Sequence, residues 1–139
     1  MWKARYETTT DIPAITLFRA ISDINHWTEW DTGLERTRIE GTPREGGIFM
    51  LKPRGGPNVK MSIEELSPPV RFVDISHLLM AKMRTSHDFQ DSGSQTSVRV
   101  TIEVWGLLGY FWRKVVGEKQ IREASAQTAS FLEYARTLA

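Results

Sequence analysis

Cysteine is absent from the 139 residues, which removes disulfides, thiolate nucleophiles and thiolate metal sites together. The absence fits a reducing compartment. The opening Met1-Trp2-Lys3-Ala4-Arg5-Tyr6-Glu7 has no apolar stretch of the secretory kind, so the expected location is the cytoplasm. No apolar run approaches the roughly 20 residues needed to span a bilayer, and no membrane insertion is expected. Nor is one charge in excess: 18 Lys and Arg stand against 17 Asp and Glu, leaving no global field to draw in nucleic acid. Histidine is scarce, and His26, His77 and His87 share no His-x-x-x-His or carboxylate spacing, so no metal is expected. No glycine-rich phosphate loop exists; Gly55-Gly56 lies between prolines and reads as a hairpin turn. The serines fall mostly in turns and on an outer helix face, which argues against a Ser-His-Asp set. No organic cofactor is expected either. Repeats, linkers and low-complexity segments are missing, so residues 1–139 read as a single domain. A chain of this length buries roughly 68% of its unfolded surface, enough for a core without staples.

Aromatic residues are plentiful, with five Trp and six Phe. Large aromatics fill cores, and they also line ligand cavities. Along the chain, Trp2 to Thr9 alternates large and polar residues, the period of a half-buried strand. Asp11 reads as a helix N-cap with Pro13 in the first turn, followed by an apolar stripe of Ile15, Phe18, Ala20 and Ile21. A second short helix is expected over Ile24 to Trp30. Strands are expected over Leu34–Glu40, Gly47–Lys52, Val59–Leu66, Arg71–Ser76, Ala81–Gln90 and Thr96–Trp105, separated by Gly, Pro, Asp and Ser turns. From about Leu107 onward the pattern is helical. Gly117, Ile121, Ala124, Thr128, Phe131, Ala135 and Leu138 recur at spacings of three and four as one buried stripe. Strands clustered between helices indicate an α+β layout with an antiparallel sheet. Parallel βαβ units would need a helix after each strand.

Several segments in this order carry a family likeness. They are Asp11-Ile12-Pro13-Ala14, then Ser22-Asp23-Ile24-Asn25-His26-Trp27-Thr28-Glu29-Trp30-Asp31, and the glycine-marked Gly41-Thr42-Pro43-Arg44-Glu45-Gly46-Gly47. The corner Glu64-Glu65-Leu66-Ser67-Pro68-Pro69-Val70-Arg71-Phe72 follows, and Gly106 with Gly109 begins the last helix. Together they resemble the START-like superfamily and, within it, the bacterial polyketide cyclase/dehydrase and lipid-transport group, over nearly the whole chain. The resemblance implies a helix-grip fold: a curved seven-stranded antiparallel sheet around a long C-terminal helix, with two short helices after strand 1. It also implies a ligand between the concave sheet face and that helix.

Strand parity then assigns the inward side chains. Phe49 and Leu51 share a face, as do Val59, Met61 and Ile63. So do Met83, Thr85, His87 and Phe89, and so do Val98, Val100, Ile102 and Val104. The helix offers Ile121, Ala124, Thr128 and Phe131 across the gap, and the small Ala124 and Thr128 either let the sheet approach or leave room for a ligand. Trp27 and Trp30, at i and i+3, share a face and line the cavity mouth or plug one end of the sheet. The candidate ligand-binding set is therefore Trp27, Trp30, Phe49, Met61, Met83, Thr85, His87, Phe89, Val100, Ile102, Ala124 and Thr128. Burying about 300 Å² of apolar ligand gives roughly 7 kcal/mol. Association costs about 4 to 15 kcal/mol, so specificity must come from the few inward polar groups. His87 is foremost, as a carbonyl donor, a general base or a core-edge histidine satisfied by its surroundings. Asp31 reads as a turn cap. Glu35 and Glu65 read as solvated strand positions, and Arg84 as outward-facing.

Three readings follow. The first is a binding or carrier protein for a lipid-like or aromatic hydrophobic small molecule. The second is an aromatase/cyclase-type enzyme that folds a polyketide chain. The third is an interaction domain using exposed aromatics such as Trp105, Tyr110 and Trp112. A homodimer is compatible with each.

Overall fold

Burial alternates along the first strand, where Trp2, Ala4, Tyr6 and Thr8 are covered and Lys3, Arg5, Glu7 and Thr9 are open, in the computed structural model, which describes residues 1–138. The strands are β1 (Trp2–Thr10), β2 (Leu34–Ile39), β3 (Ile48–Pro53), β4 (Val59–Ser67), β5 (Arg71–Leu78), β6 (Ala81–Ser92) and β7 (Gln95–Trp105). They form one sheet in the order β1-β7-β6-β5-β4-β3-β2, and every neighbouring pair is antiparallel. Helix α1 (Ala14–Ser22) and a 3-10 helix (Ile24–Glu29) carry the chain from one edge of the sheet to the other. Register irregularities between Leu34 and Arg36 and between Ile63 and Glu65 add the local twist and bend that curve the sheet.

The C-terminal helix is α2 (Gly109–Trp112), one π-helical turn (Arg113–Gly117) and α3 (Glu118–Arg136) in continuation. Its buried stripe is Gly117, Ala124, Thr128, Phe131 and Ala135, with Ile121 half-buried. A Cβ on Gly117 would stand 2.7 Å from Cζ3 of Trp2 and 3.2 Å from Cγ2 of Val104, so glycine sets how closely helix and sheet approach. The whole is the α+β helix-grip arrangement expected from the resemblance.

Two expectations need correction. Asp11 does not cap α1: the residue before the helix is Pro13, and the free Ala14 N–H donates instead to Oδ1 of Asp91, 3.1 Å away on β6. The Thr96 hydroxyl donates to the same oxygen at 2.9 Å. Asp11 pairs with Arg136 at 2.8 Å in solvent. The stripe also ends earlier than expected, because α3 stops at Arg136 and leaves Leu138 47% exposed.

Side chains lock the short helices to the sheet. Asn25 bonds the Ile39 backbone twice, accepting at 2.9 Å and donating at 3.2 Å, and the Thr37 hydroxyl donates to the Ile24 carbonyl at 2.6 Å. The Gln127 amide donates to Asp31 at 2.7 Å, tying α3 to the same end.

Candidate ligand-binding site

The pairing register arranges the concave face in rows. Phe72, His87, Val100 and Tyr6 are successive cross-strand partners on β5, β6, β7 and β1. The next row runs Ile63, Asp74, Thr85, Ile102 and Ala4, and the one beyond it Met61, Ser76, Met83, Val104 and Trp2. Directly opposed side chains in such rows stand about 4.5 to 5.5 Å apart at Cβ.

The apolar residues on this face pack as two cores rather than one. The larger joins α1, the 3-10 helix, Phe49, Met61, Ile63, Phe72, Phe89, Val98, Phe131 and Ala135. Its aromatic centre has Trp27 edge-on to Phe49 at 5.5 Å, Trp30 against Phe131 at 5.0 Å and Phe89 stacked on Phe131 at 6.2 Å. The smaller holds Met83, Val100, Ile102 and Val104, covered by Trp2, Leu78, Trp112, Val116 and Ile121. Polar side chains stand between the two in each row: His87 between Phe72 and Val100, Asp74 and Thr85 between Ile63 and Ile102, and Ser76 between Met61 and Met83, while the buried Ala124 of α3 belongs to neither core.

The expected site residues therefore divide. Trp27, Trp30, Phe49, Met61 and Phe89 are buried in the larger core, with the Trp27 indole N–H donating to the Ile21 carbonyl at 2.8 Å. Met83, Val100 and Ile102 lie in the smaller. Thr85 and His87 are half-buried at the junction, facing inward as parity required.

Electrostatics single out two junction groups. The Nδ1 of His87 is buried and meets no hydrogen-bond partner among the described residues. Burial holds its imidazole down at about 4, against a weaker opposing pull from Asp88, so the ring is neutral at pH 7. Asp74 is 3% exposed, and burial alone pushes its carboxyl up to about 7. Sequence reasoning missed Asp74; the acids it weighed, Glu35 and Glu65, it read as solvated, and both lie outside. Glu35 pairs outside with Lys52 at 2.9 Å, and Glu65 with Arg71 at 3.1 Å. The overlooked clue was parity: Asp74 alternates with Phe72 and Ser76, and Thr85 faces it across the ladder. Arg84 does face outward, between Glu64 and Glu103 and over the Trp105 ring at 4.8 Å. Asp31 accepts the Gly33 N–H at 2.9 Å, the turn cap expected of it.

Two open clefts lie elsewhere. One of about 520 Å³ is on the convex side of β1, β6 and β7 among Glu7, Asp88, Gln90 and Arg99. One of about 380 Å³ lies between α1 and the β2–β3 loop. Charged or shallow rims suit neither to an apolar guest. No group of three or more His, Cys, Asp and Glu among the described residues is placed to hold a metal, and no described helix is long and apolar enough to cross a membrane.

Comparison with solved structures finds the same fold at low identity. The aromatase/cyclase ZhuI from Streptomyces sp. R1128 superposes with a TM-score of 0.75 at 12% identity, covering 97% of this chain and 93% of its own. A START superfamily protein from Mycobacterium smegmatis gives a TM-score of 0.72 at 15% identity, covering 99% of both chains. The protein Ara h 8.0201 gives 0.78 at 12% identity over 98% of both. No protein of curated function has a matching sequence. The family model for polyketide cyclase/dehydrase and lipid transport matches residues 1–132. That match spans almost the whole chain, and the chain accordingly belongs to the polyketide cyclase/dehydrase and lipid-transport family.

Proposed function

We propose that the protein binds and carries a hydrophobic small molecule, lipid-like or aromatic, between the concave sheet face and the C-terminal helix. The observation that carries this reading is the divided core. A chain with no guest gains most by packing one continuous interior. Here half-buried Thr85 and His87, with the partnerless His87 Nδ1, lie in their rows between members of the two cores, and the small, buried Ala124 of α3 belongs to neither core. Family membership supports the reading, since the family is described by cyclisation and lipid transport. The guest would be held by desolvation against Met83, Val100 and Ile102, and oriented by the polar groups at the junction.

Titration with the neutral fluorophore N-phenyl-1-naphthylamine tests it. Wild type should bind the probe, and Ala124→Trp should abolish binding while the protein still melts cooperatively. Filling a void costs less than the roughly 1 to 3 kcal/mol of overpacking a tight core. A wild type that does not bind the probe, with an Ala124→Trp variant that is strongly destabilised, would make the junction solid core and end the carrier reading.

A further inference from the structure

The concave face is almost without charge, and one of its two carboxylates has no counterpart. Every lysine and arginine in the seven strands falls on the convex side, where Arg71, Arg84 and Arg99 form ion pairs with Asp88, Glu64 and Glu7. Two strand carboxylates have concave-side parity: Asp91, held by the Ala14 N–H and the Thr96 hydroxyl, and Asp74, which no described residue holds. The cross-strand neighbours of Asp74 are Ile63 and Thr85, and Phe72 and Ser76 flank it along its own strand. His87, on the diagonal, is uncharged at neutral pH. No hydrogen bond or ion pair from a described residue reaches the Asp74 carboxyl, and the residue as a whole is 3% exposed. A buried carboxyl left in this state costs free energy that a partner would recover. No described residue supplies that partner, which leaves the place open to a guest.

That asymmetry restricts the guest. An alcohol donates to the carboxylate or accepts from the carboxylic acid, and an ammonium pairs with the carboxylate. A guest carboxylate would place a second negative group beside Asp74 with no cation on the face to offset either one, which is selection by repulsion. We propose that this site takes apolar molecules that end in an uncharged or cationic hydrogen-bond donor, an alcohol or an amine, and rejects those that end in a carboxylate, with Asp74 reading the tip. The proposal rests on the carrier reading and narrows it. The elevated Asp74 pKa agrees, because near pH 7 the group holds or releases its proton to match either tip.

Displacement of N-phenyl-1-naphthylamine at pH 7.4 by decan-1-ol, decylamine and decanoate, matched in chain length, tests it. Decanol or decylamine should displace the probe at concentrations at least about tenfold below decanoate. Ranking within one protein does not depend on how tightly the probe itself binds. In Asp74→Asn, which cannot carry the charge, the margin of decylamine over decanoate should shrink several-fold. In Asp74→Leu both margins should collapse. Should the leucine variant fail to fold, the asparagine variant decides. Decanoate displacing as well as the alcohol and the amine overturns the proposal, as does a ranking unchanged in the variants. In both cases the carrier reading survives. A wild type that binds no probe removes both.

Discussion

Asp74 and His87 sit on neighbouring strands, and burial acts on them in opposite directions. The carboxyl is raised to about 7 and the imidazole lowered to about 4 by the same loss of solvent. A raised acid binds its proton more tightly folded than unfolded. Its stabilising effect is complete below about pH 4 and is lost as pH climbs through about 7. A lowered base works the other way: its contribution is present above about pH 6.5 and is lost as pH falls through about 4. Between those limits the two slopes cancel. Removing one should expose the other. Asp74→Asn should be more stable than wild type, and its advantage should grow from about pH 4 to about pH 7 towards roughly 4 kcal/mol, three pH units at about 1.4 kcal/mol each. His87→Phe should show the mirror trend, gaining on wild type as pH falls from about 6.5 to about 4. Urea denaturation at half-unit steps measures both, and an advantage that does not vary with pH would mean the groups are solvated. His87 could be read from strand parity because it interrupts an apolar face. Asp74 shares its parity with Phe72 and so its face, but its lack of a partner could not be read until β6 supplied its surroundings.

Among the elements, α1 shows how a local rule yields to a distant residue. Asp11 stands where an N-cap is expected, three residues before Ala14, yet the Ala14 N–H is met by Asp91 from the far end of β6. The chain between Asp11 and the helix is Ile12-Pro13, and Ile12 is 2% exposed, so burial of Ile12 takes the chain away from cap geometry. Replacing an N-cap acceptor by alanine costs about 1 kcal/mol. Asp91→Ala should lose that much in chemical denaturation, and Asp11→Ala, whose partner Arg136 lies in solvent, measurably less. Equal losses would restore the local cap. The strands were legible almost to the residue because alternation with a period of two needs only one buried face. β6 and β7 each run further than their apolar residues suggested, since the Asp91–Thr96 and Ser92–Gln95 pairs extend the ladder with polar side chains. The π turn at Arg113–Gly117 has no sequence mark beyond Gly117 itself, whose need for a bare Cα arises only when Trp2 and Val104 come against it.

For the whole molecule, the sheet separates charge from the interior: ion pairs on the convex side, apolar rows with the capping Asp91 and the lone Asp74 on the other. That division could be read from the order of elements, because antiparallel strands between helices leave one face for the helix to cover. The division of the core in two could not, since it depends on which side chains meet across the gap between α3 and the sheet. The strand order carries a further consequence, in time rather than in space. Trp2 pairs with Val104 and Thr10 with Thr96, so the first strand made is among the last to find its partner. Pairings so distant in sequence put folding in the range of milliseconds to seconds. A chain ending after Ser92 should lack both the partner of β1 and the Thr96 contact that holds the Asp91 cap. Its far-ultraviolet circular dichroism should be that of an unfolded chain, and a native-like spectrum would show that the pairing of β1 with β7 is dispensable. During synthesis at about 5 to 20 residues per second, β1 waits roughly 5 to 20 s for β7 to follow. Through that interval Lys3, Arg5 and Glu7 put a charge at three of the four alternate positions of the unpaired strand's outer face, which disfavours pairing with a wrong edge.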